Sequence, residues 1–249
     1  MPEILKTDSI ILDSIRWKET SKIVTFFSRQ YGIFKVIARG VYRNKSAFAG
    51  KLESLNRVEI IVNSRSSRSL QILTEVDVID SYNTIRPDLR RLSYALAILE
   101  LIQQTIRESH SDTVFYDFIV VLLDTLKTVN MPSVIFIYFL LKLVSYLGFK
   151  PNLDHCPVCK NTPSSDILYF SMEKGTIFCR DCAEGAVMLR KIKSDNLDLL
   201  RKLQTHPHRK ISEFETKDFP EQYFTNLLID YLNFHTENII SLKSLSMLI

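Results

Sequence analysis

Four cysteines, Cys156, Cys159, Cys179 and Cys182, are all that this chain of 249 residues contains, and they form two C-x2-C pairs separated by 19 residues. A C-x2-C turn aims both thiolates to one side, and two such turns close a tetrahedron around Zn2+ with bonds of about 2.3 Å. Clustered cysteines in a reducing compartment are metal ligands more often than disulfides. Four sulfurs leave no open position for water, so the chemistry expected is one structural zinc ion and no catalysis. His155 adjoins the first ligand, but four donors are already present. The zinc-deaminase pattern needs H-x-E ahead of its cysteines. Here the one H-x-E, His235-Thr-Glu237, follows them.

A second set of residues suits a polyanion. Residues 14–70 carry twelve Lys and Arg against Glu19, Glu53 and Glu59, a local balance of +9 in a chain whose total is +4. Within YGIFKVIARGVYRNKSAFAGKLESLNRVEIIV, Lys35, Arg39, Arg43, Lys45, Lys51 and Arg57 alternate with Tyr42 and Phe48. Cations spaced along a loop can follow a sugar-phosphate backbone while interleaved aromatics stack on bases. Lys22, Arg65 and Arg68 could extend this surface. The alternative reading is a solvated loop whose aromatics anchor it to the elements beneath. Phe26, Phe27 and Phe34 are expected in the core.

These residues need elements to hold them. Five stretches rich in Val, Ile, Thr and Phe read as strands: 4–13, 21–28, 33–38, 58–62 and 70–79. Residues 14–19, Tyr31-Gly32, the long 39–56 connection and 63–67 read as the turns between them. Five strands with one long middle connection fit a small OB-type barrel, and other five-stranded barrels fit the pattern equally. After Asn83 the apolar period changes to about 3.6. One helix runs from Pro87 to about Glu108; Ser111 or Asp112 caps a second; 131–148 forms a third, apolar all round and therefore central. After the cysteines, a helix starts at Ser194 and another near Asp218, with Glu221 completing a capping box. Between the cysteine pairs, 167–170 and 176–178 read as short strands joined at Lys174-Gly175, the layout of a zinc ribbon.

The fold class expected is α+β and multidomain: an N-terminal five-stranded OB-type β-barrel and a C-terminal α-helical bundle interrupted by a four-cysteine zinc module. The divisions are 1–80 for the nucleic-acid-binding barrel, 84–150 with 190–249 for the helical domain, and 151–189 for the inserted module. A hydrophobic share of 46% beside 24% charged residues provides enough apolar material for such cores. Glu3, Lys6 and Asp8 stand where a signal peptide needs an apolar run, so a cytoplasmic address is expected. The most apolar window, 134–141, is far shorter than the about 20 residues that cross a bilayer. No Walker loop, H-E-x-x-H or G-x-S-x-G occurs, and the E-x-K fragment Glu215-Thr-Lys217 lies far from the Pro87-Asp88 pair, so a nuclease or other enzyme is not expected.

The order of features resembles a family. The strand, Tyr31-Gly32, strand, Ala38-Arg39-Gly40, basic run and Lys45-Ser46, then Thr74 to Asp80, the helices and the four-cysteine insertion together resemble RecO, the bacterial recombination mediator, over nearly the whole chain. The resemblance implies binding of single- and double-stranded DNA, annealing of complementary strands, partnership with RecR, contact with the acidic C-terminal tail of single-strand binding protein, and indirect help to RecA. It also implies a cytoplasmic, nucleoid-associated protein without membrane contact. Its zinc cysteines map onto Cys156, Cys159, Cys179 and Cys182. The DNA-facing positions map onto Lys35, Arg39, Arg43, Lys45 and Lys51, with Arg65 and Arg68 beside them. Val41-Tyr42 depart from the family's more basic loop, which turns the expected role of Tyr42 from phosphate contact to stacking. A protein adaptor with an incidental basic surface is the rival reading; cations for an acidic tail would then come from Lys142, Arg190, Lys191, Arg201 and Lys202.

Overall fold

The computed structural model describes residues 3–65, 70–163, 165–237 and 239–248. Its first five strands are β1 (Glu3–Trp17), β2 (Ser21–Ser28), β3 (Gly32–Ala38), β4 (Arg57–Ser64) and β5 (Gln71–Asp80). They close a barrel in the order β1-β2-β3-β5-β4, the OB-type arrangement. Every pairing is antiparallel except the short parallel contact of β3 with β5, Val36 to Gln71 and Ile37 to Ile72. Alternation explains most of the interior: Val24 and Phe26, Val36 and Ala38, and Val58, Ile60 and Val62 point inward. Leu73 and Val76, three apart, both join them because the register of β5 against β4 shifts between them.

β1 runs four residues past its expected end at 13. Ser14 to Trp17 pair with Ser21 to Val24, and a register shift between Ile11 and Asp13 marks a bulge. Such a bulge bends a strand, which lets β1 serve both β2 and β4. Polar Ser14, Arg16 and Lys18 read as turn material, yet the turn is only Lys18-Glu19-Thr20, entered by Lys18 at φ 55°.

Two helices cover part of the barrel's outer wall. Asp88 caps α1 (Leu89–Thr105) by accepting from the amides of Arg90 and Arg91, and Asp112 caps α2 (Thr113–Leu126) through the Phe115 amide. On the outward face of β2, Phe27 packs 6.1 Å from Phe115 and 5.3 Å from Tyr116, ring centre to ring centre. Asp8 on β1 accepts the Tyr116 hydroxyl at 2.7 Å and the Arg57 Nε at 3.1 Å. Gly32 has φ +67°, and a Cβ there would lie 2.2 Å from the His110 carbonyl oxygen, so only glycine lets β3 start against the α1–α2 link. These parts form one compact unit, Met1–Thr128 together with Leu242–Ile249. The returning tail is held by α1, where Ser244 Oγ donates to Glu100 at 3.1 Å.

Val129–Ser241 forms the second unit. Its elements are α3 (Pro132–Tyr146), β6 (Ile167–Ser171), β7 (Thr176–Phe178), β8 (Leu189–Lys193), α4 (Ser194–Thr205) and α5 (Glu221–Thr236). Helix α3 is buried on nearly all sides, as its apolar sequence requires. Helices α4 and α5 both pack on it. Tyr138 and Lys142 of α3 donate to the carbonyls of His206 and Gln204 at 2.8 Å each, satisfying the frayed end of α4. Gly175 turns β6 into β7 at φ +57°, with the Tyr231 hydroxyl where a Cβ would go.

Two local expectations need correction. Strand β8 joins β6 in a three-stranded sheet ordered β7-β6-β8; its cationic Leu-Arg-Lys-Ile-Lys has one deeply buried residue, Ile192, so its alternation is faint. Helix α5 begins at Glu221 with Pro220 at its cap and no side-chain cap bond, so the Asp218–Glu221 box does not form. Among the described residues no helix is long and apolar enough to cross a membrane.

Candidate nucleic-acid interface and metal centre

The 39–56 connection stops up one end of the barrel. Leu52 is 1% exposed and belongs to the barrel core, with Val41 and Phe48 packed against the same cluster. Hydrogen bonds lock the segment in place: the Leu55 amide donates to the Ile11 carbonyl and the Ile11 amide to the Asn56 carbonyl, both at 2.9 Å. Lys22 Nζ reaches the Leu52 carbonyl at 3.4 Å and Glu53 at 3.1 Å, and Asn56 Nδ2 donates to the Lys51 carbonyl at 3.0 Å. Leu, Val and Phe at these spacings serve as the plug that the barrel's open end requires. The apolar residues of this loop anchor it to the barrel, while Arg39, Arg43 and Lys45 are exposed on it.

The predicted cations then divide into two groups. Arg39, Arg43 and Lys45 are exposed on the plug and make no ion pair with any described residue. Arg65 is exposed just after β4, its backbone tied to the Gln71 side chain, and Arg68 lies outside the described residues. Lys35 and Lys51 are already engaged. Lys35 pairs with Glu108 at 2.9 Å beside a cavity of about 470 Å³ at the barrel's other end. Lys51 donates to the Val76 carbonyl at 2.8 Å and approaches Asp77 at 3.4 Å. Tyr42 is 47% exposed, and its amide donates to the Thr20 carbonyl at 3.3 Å, which sets the plug beside the β1–β2 turn. The Arg16 guanidinium sits 5.0 Å from the Tyr42 ring centre. Arg16 escaped the sequence reading because its stretch resembled a turn; extending β1 by one polar-tolerant pair would have found it.

Charge is segregated on this barrel. Glu59, Glu75 and Asp77 share the outward face of β4 and β5, with Lys6 pairing Glu59 at 2.9 Å. On the plug, Arg39, Arg43 and Lys45 carry positive charge without an ion pair among the described residues.

In the second unit, the four cysteine sulfurs lie within 4.8 Å of one another. Sulfurs on a zinc tetrahedron with bonds of about 2.3 Å stand about 3.8 Å apart, and Cys159 Sγ and Cys179 Sγ are 3.6 Å apart. Tight turns set each pair, with the Lys160 amide donating to the Cys156 carbonyl at 3.0 Å and the Cys182 amide to the Cys179 carbonyl at 3.2 Å. Burial opposes ionisation of Cys156, but amides of Cys179, Cys159 and Val158 outweigh it and bring the thiol down to about 6. Cys179 is pushed up to about 12 by burial and by its sulfur neighbours. Four thiolates this close repel one another, and a divalent cation removes that conflict; the donor set fits a metal ion. His155 stays outside the sulfur cluster, its Nδ1 3.4 Å from Thr162 Oγ1.

The cations considered for an acidic tail are mostly spent inside the second unit. Lys142 holds α4, Arg190 approaches Asp230 at 3.4 Å, and Arg201 donates to the Leu153 carbonyl at 2.7 Å. Lys191 and Lys202 make no ion pair among the described residues.

Comparison with known proteins matches this organisation. Residues 1–82 match the model for the recombination protein O N terminal region, and residues 86–246 match that for its C terminal region. A DNA repair protein RecO from Caldanaerobacter subterraneus is 26% identical over 244 residues, covering 98% of this chain and 97% of that protein. One of the same name from Chlorobium limicola is 26% identical, with 94% of each chain covered. Another, from Chlorobium phaeobacteroides, is 31% identical over 154 residues, covering 61% of this chain and 59% of that protein. With residues 1–82 and 86–246 matched by the two recombination protein O models, this chain belongs to the recombination protein O family.

Proposed function

We propose that this chain is a DNA repair mediator that works without covalent chemistry: it binds single- and double-stranded DNA, anneals complementary strands and helps load recombinase onto strands coated with single-strand binding protein. The observation that carries this reading is the trio Arg39, Arg43 and Lys45, exposed on the barrel plug with no carboxylate partner among the described residues. Two polyanions approach only where cations lower their repulsion, and each phosphate neutralised releases counterions. Held on a plug locked to the barrel, these cations meet phosphate without first ordering a loop. The relatives' name, DNA repair protein RecO, supports the same direction.

The finer assignments follow the family. RecR and the acidic C-terminal tail of single-strand binding protein are the direct protein partners, RecA an indirect one, and the site of action is the cytoplasmic nucleoid. Zn2+ is the ion held by Cys156, Cys159, Cys179 and Cys182, and it braces the module without touching DNA. The working division is a nucleic-acid barrel over 1–80, a helical domain over 84–150 and 190–249, and a zinc insertion over 151–189. Lys35 and Lys51 join the DNA surface only after exchanging their present partners, so Arg39, Tyr42, Arg43, Lys45, Arg65 and Arg68 carry the larger share.

Fluorescence-monitored annealing of complementary oligonucleotides, with and without single-strand binding protein, tests the reading. The R39E/R43E/K45E variant is expected to anneal at least tenfold more slowly while retaining its zinc. Equal annealing rates for variant and parent would remove the plug from the mechanism.

A further inference from the structure

The chain's single tryptophan is not in its core. Trp17 ends β1 and is 43% exposed, and Ile15, two residues earlier on the same face, is 53% exposed. Strand register makes these two part of a strip. Ile15 lies opposite Ile23 on β2, which lies opposite Ile37 on β3, while Trp17 pairs with Ser21. Partners across antiparallel strands share a face, so Trp17, Ile15, Ile23 and Ile37 form one apolar band on the outer wall. Further along that wall, α2 covers Phe27, whereas in the band Trp17 and Ile15 are exposed and Ile23 and Ile37 half-buried.

Cations border it. Lys35 stands on the same face in the neighbouring row, opposite Thr25, with its ammonium paired to Glu108. Lys18 follows Trp17 in the turn, and Arg39 follows β3; both are exposed. A narrow apolar band edged by positive charge suits a ligand with apolar plates strung on an anionic thread. An unpaired nucleic-acid strand is such a ligand, whereas a duplex keeps its base faces stacked inside.

We propose that this band is a stacking surface for unpaired bases, with Trp17 as its principal contact, and that it sets a preference for single strands over duplexes. The inference rests on the DNA-binding reading above and assigns base contact to a surface apart from the plug cations, which contact phosphate. Base-to-aromatic stacking tolerates any sequence, because every base has a π-face.

The test uses the full chain and three fluorescein-labelled probes: an oligothymidine, a strand of equal length carrying abasic sites throughout, and a duplex. Anisotropy reports binding and tryptophan emission reports the band. Oligothymidine should quench Trp17 emission as it binds, and the abasic strand should bind without quenching. W17A should weaken oligothymidine binding about tenfold, equivalent to ~1.4 kcal/mol, and leave the abasic strand and duplex within about twofold. W17F should restore most of the loss. Quenching in the parent protein needs no variant, so an unstable W17A leaves the inference testable. Saturable oligothymidine binding with constant emission overturns it, as do equal losses on thymidine and abasic strands. Unaltered binding by W17A with a changed sedimentation coefficient would make the band a contact between copies and overturn it too. If no probe binds at all, the DNA-binding reading fails and takes this inference with it; binding without quenching sinks this inference alone.

Discussion

The barrel plug and the cysteine module are both long excursions between regular elements, and each is held by a different force. The plug inserts Val41, Phe48 and Leu52 into a core that five strands have already built. The module has only three short strands, burying Leu168, Phe170, Ile177 and Ile192, and its four sulfurs lie within 4.8 Å of one another. Burying side chains in an existing core is enough to order the first. A segment as small as the second needs metal binding to supply folding free energy. The difference also separates roles, since the plug is free to expose cations while the module spends its chemistry on itself.

Removing the metal should give the largest effect. Chelation at neutral pH, or C156S/C159S, should abolish protection of amides in 152–193 and lower the melting temperature of the second unit. Apparent zinc-binding free energies in small modules reach about 10 kcal/mol or more at pH 7. Metal analysis should return one ion per parent chain; preserved amide protection after complete metal loss would erase the contrast. Next in size, L52A opens a cavity in the plugged barrel and should cost about 2–5 kcal/mol in chemical denaturation. Its zinc content should match the parent's.

Charge on the plug should matter less for stability than for binding. R39E/R43E should leave the melting temperature within a degree or two and reduce the slope of log K against log salt by roughly 1.4, two phosphates at about 0.7 each on single strands. The smallest effect is expected from acid. The Arg91 amide holds the Asp88 carboxyl below its usual range, and the Arg29 side chain does the same for Asp117. Burial would raise Asp80, but the Lys127 ammonium and the Tyr82 amide more than offset it. Depressed carboxylates contribute stability that is complete above their unfolded value and lost as pH falls through the folded one. The first unit should therefore hold its stability down to about pH 4 and weaken below it; a melting temperature that rises on acidification would contradict these pairings.

Much of this architecture was legible because alternation and period dominate it. Residues 21–28 are β2 to the residue, and Asp112 caps α2 as its type and position require. What could not be read depended on partners distant in sequence. Whether Ser14 to Trp17 is turn or strand is decided by pairing with β2 across a bulge, and β8 exists because β6 offers it an edge. Cysteine spacing alone located the four-sulfur cluster, since two turns with fixed geometry leave little choice. The basic surface was harder. Lys35 and Lys51 look like Arg39 and Arg43 in sequence, and only the fold supplies Glu108 and the Val76 carbonyl that occupy them.

A salt titration of oligothymidine binding to the parent chain tests the central claim most directly, namely that plug cations held by the barrel grip phosphate. With Arg39, Arg43 and Lys45 each neutralising one phosphate, log K should fall against log salt with a slope of about −2 or steeper. No binding at low ionic strength, or an affinity indifferent to salt, would contradict the account.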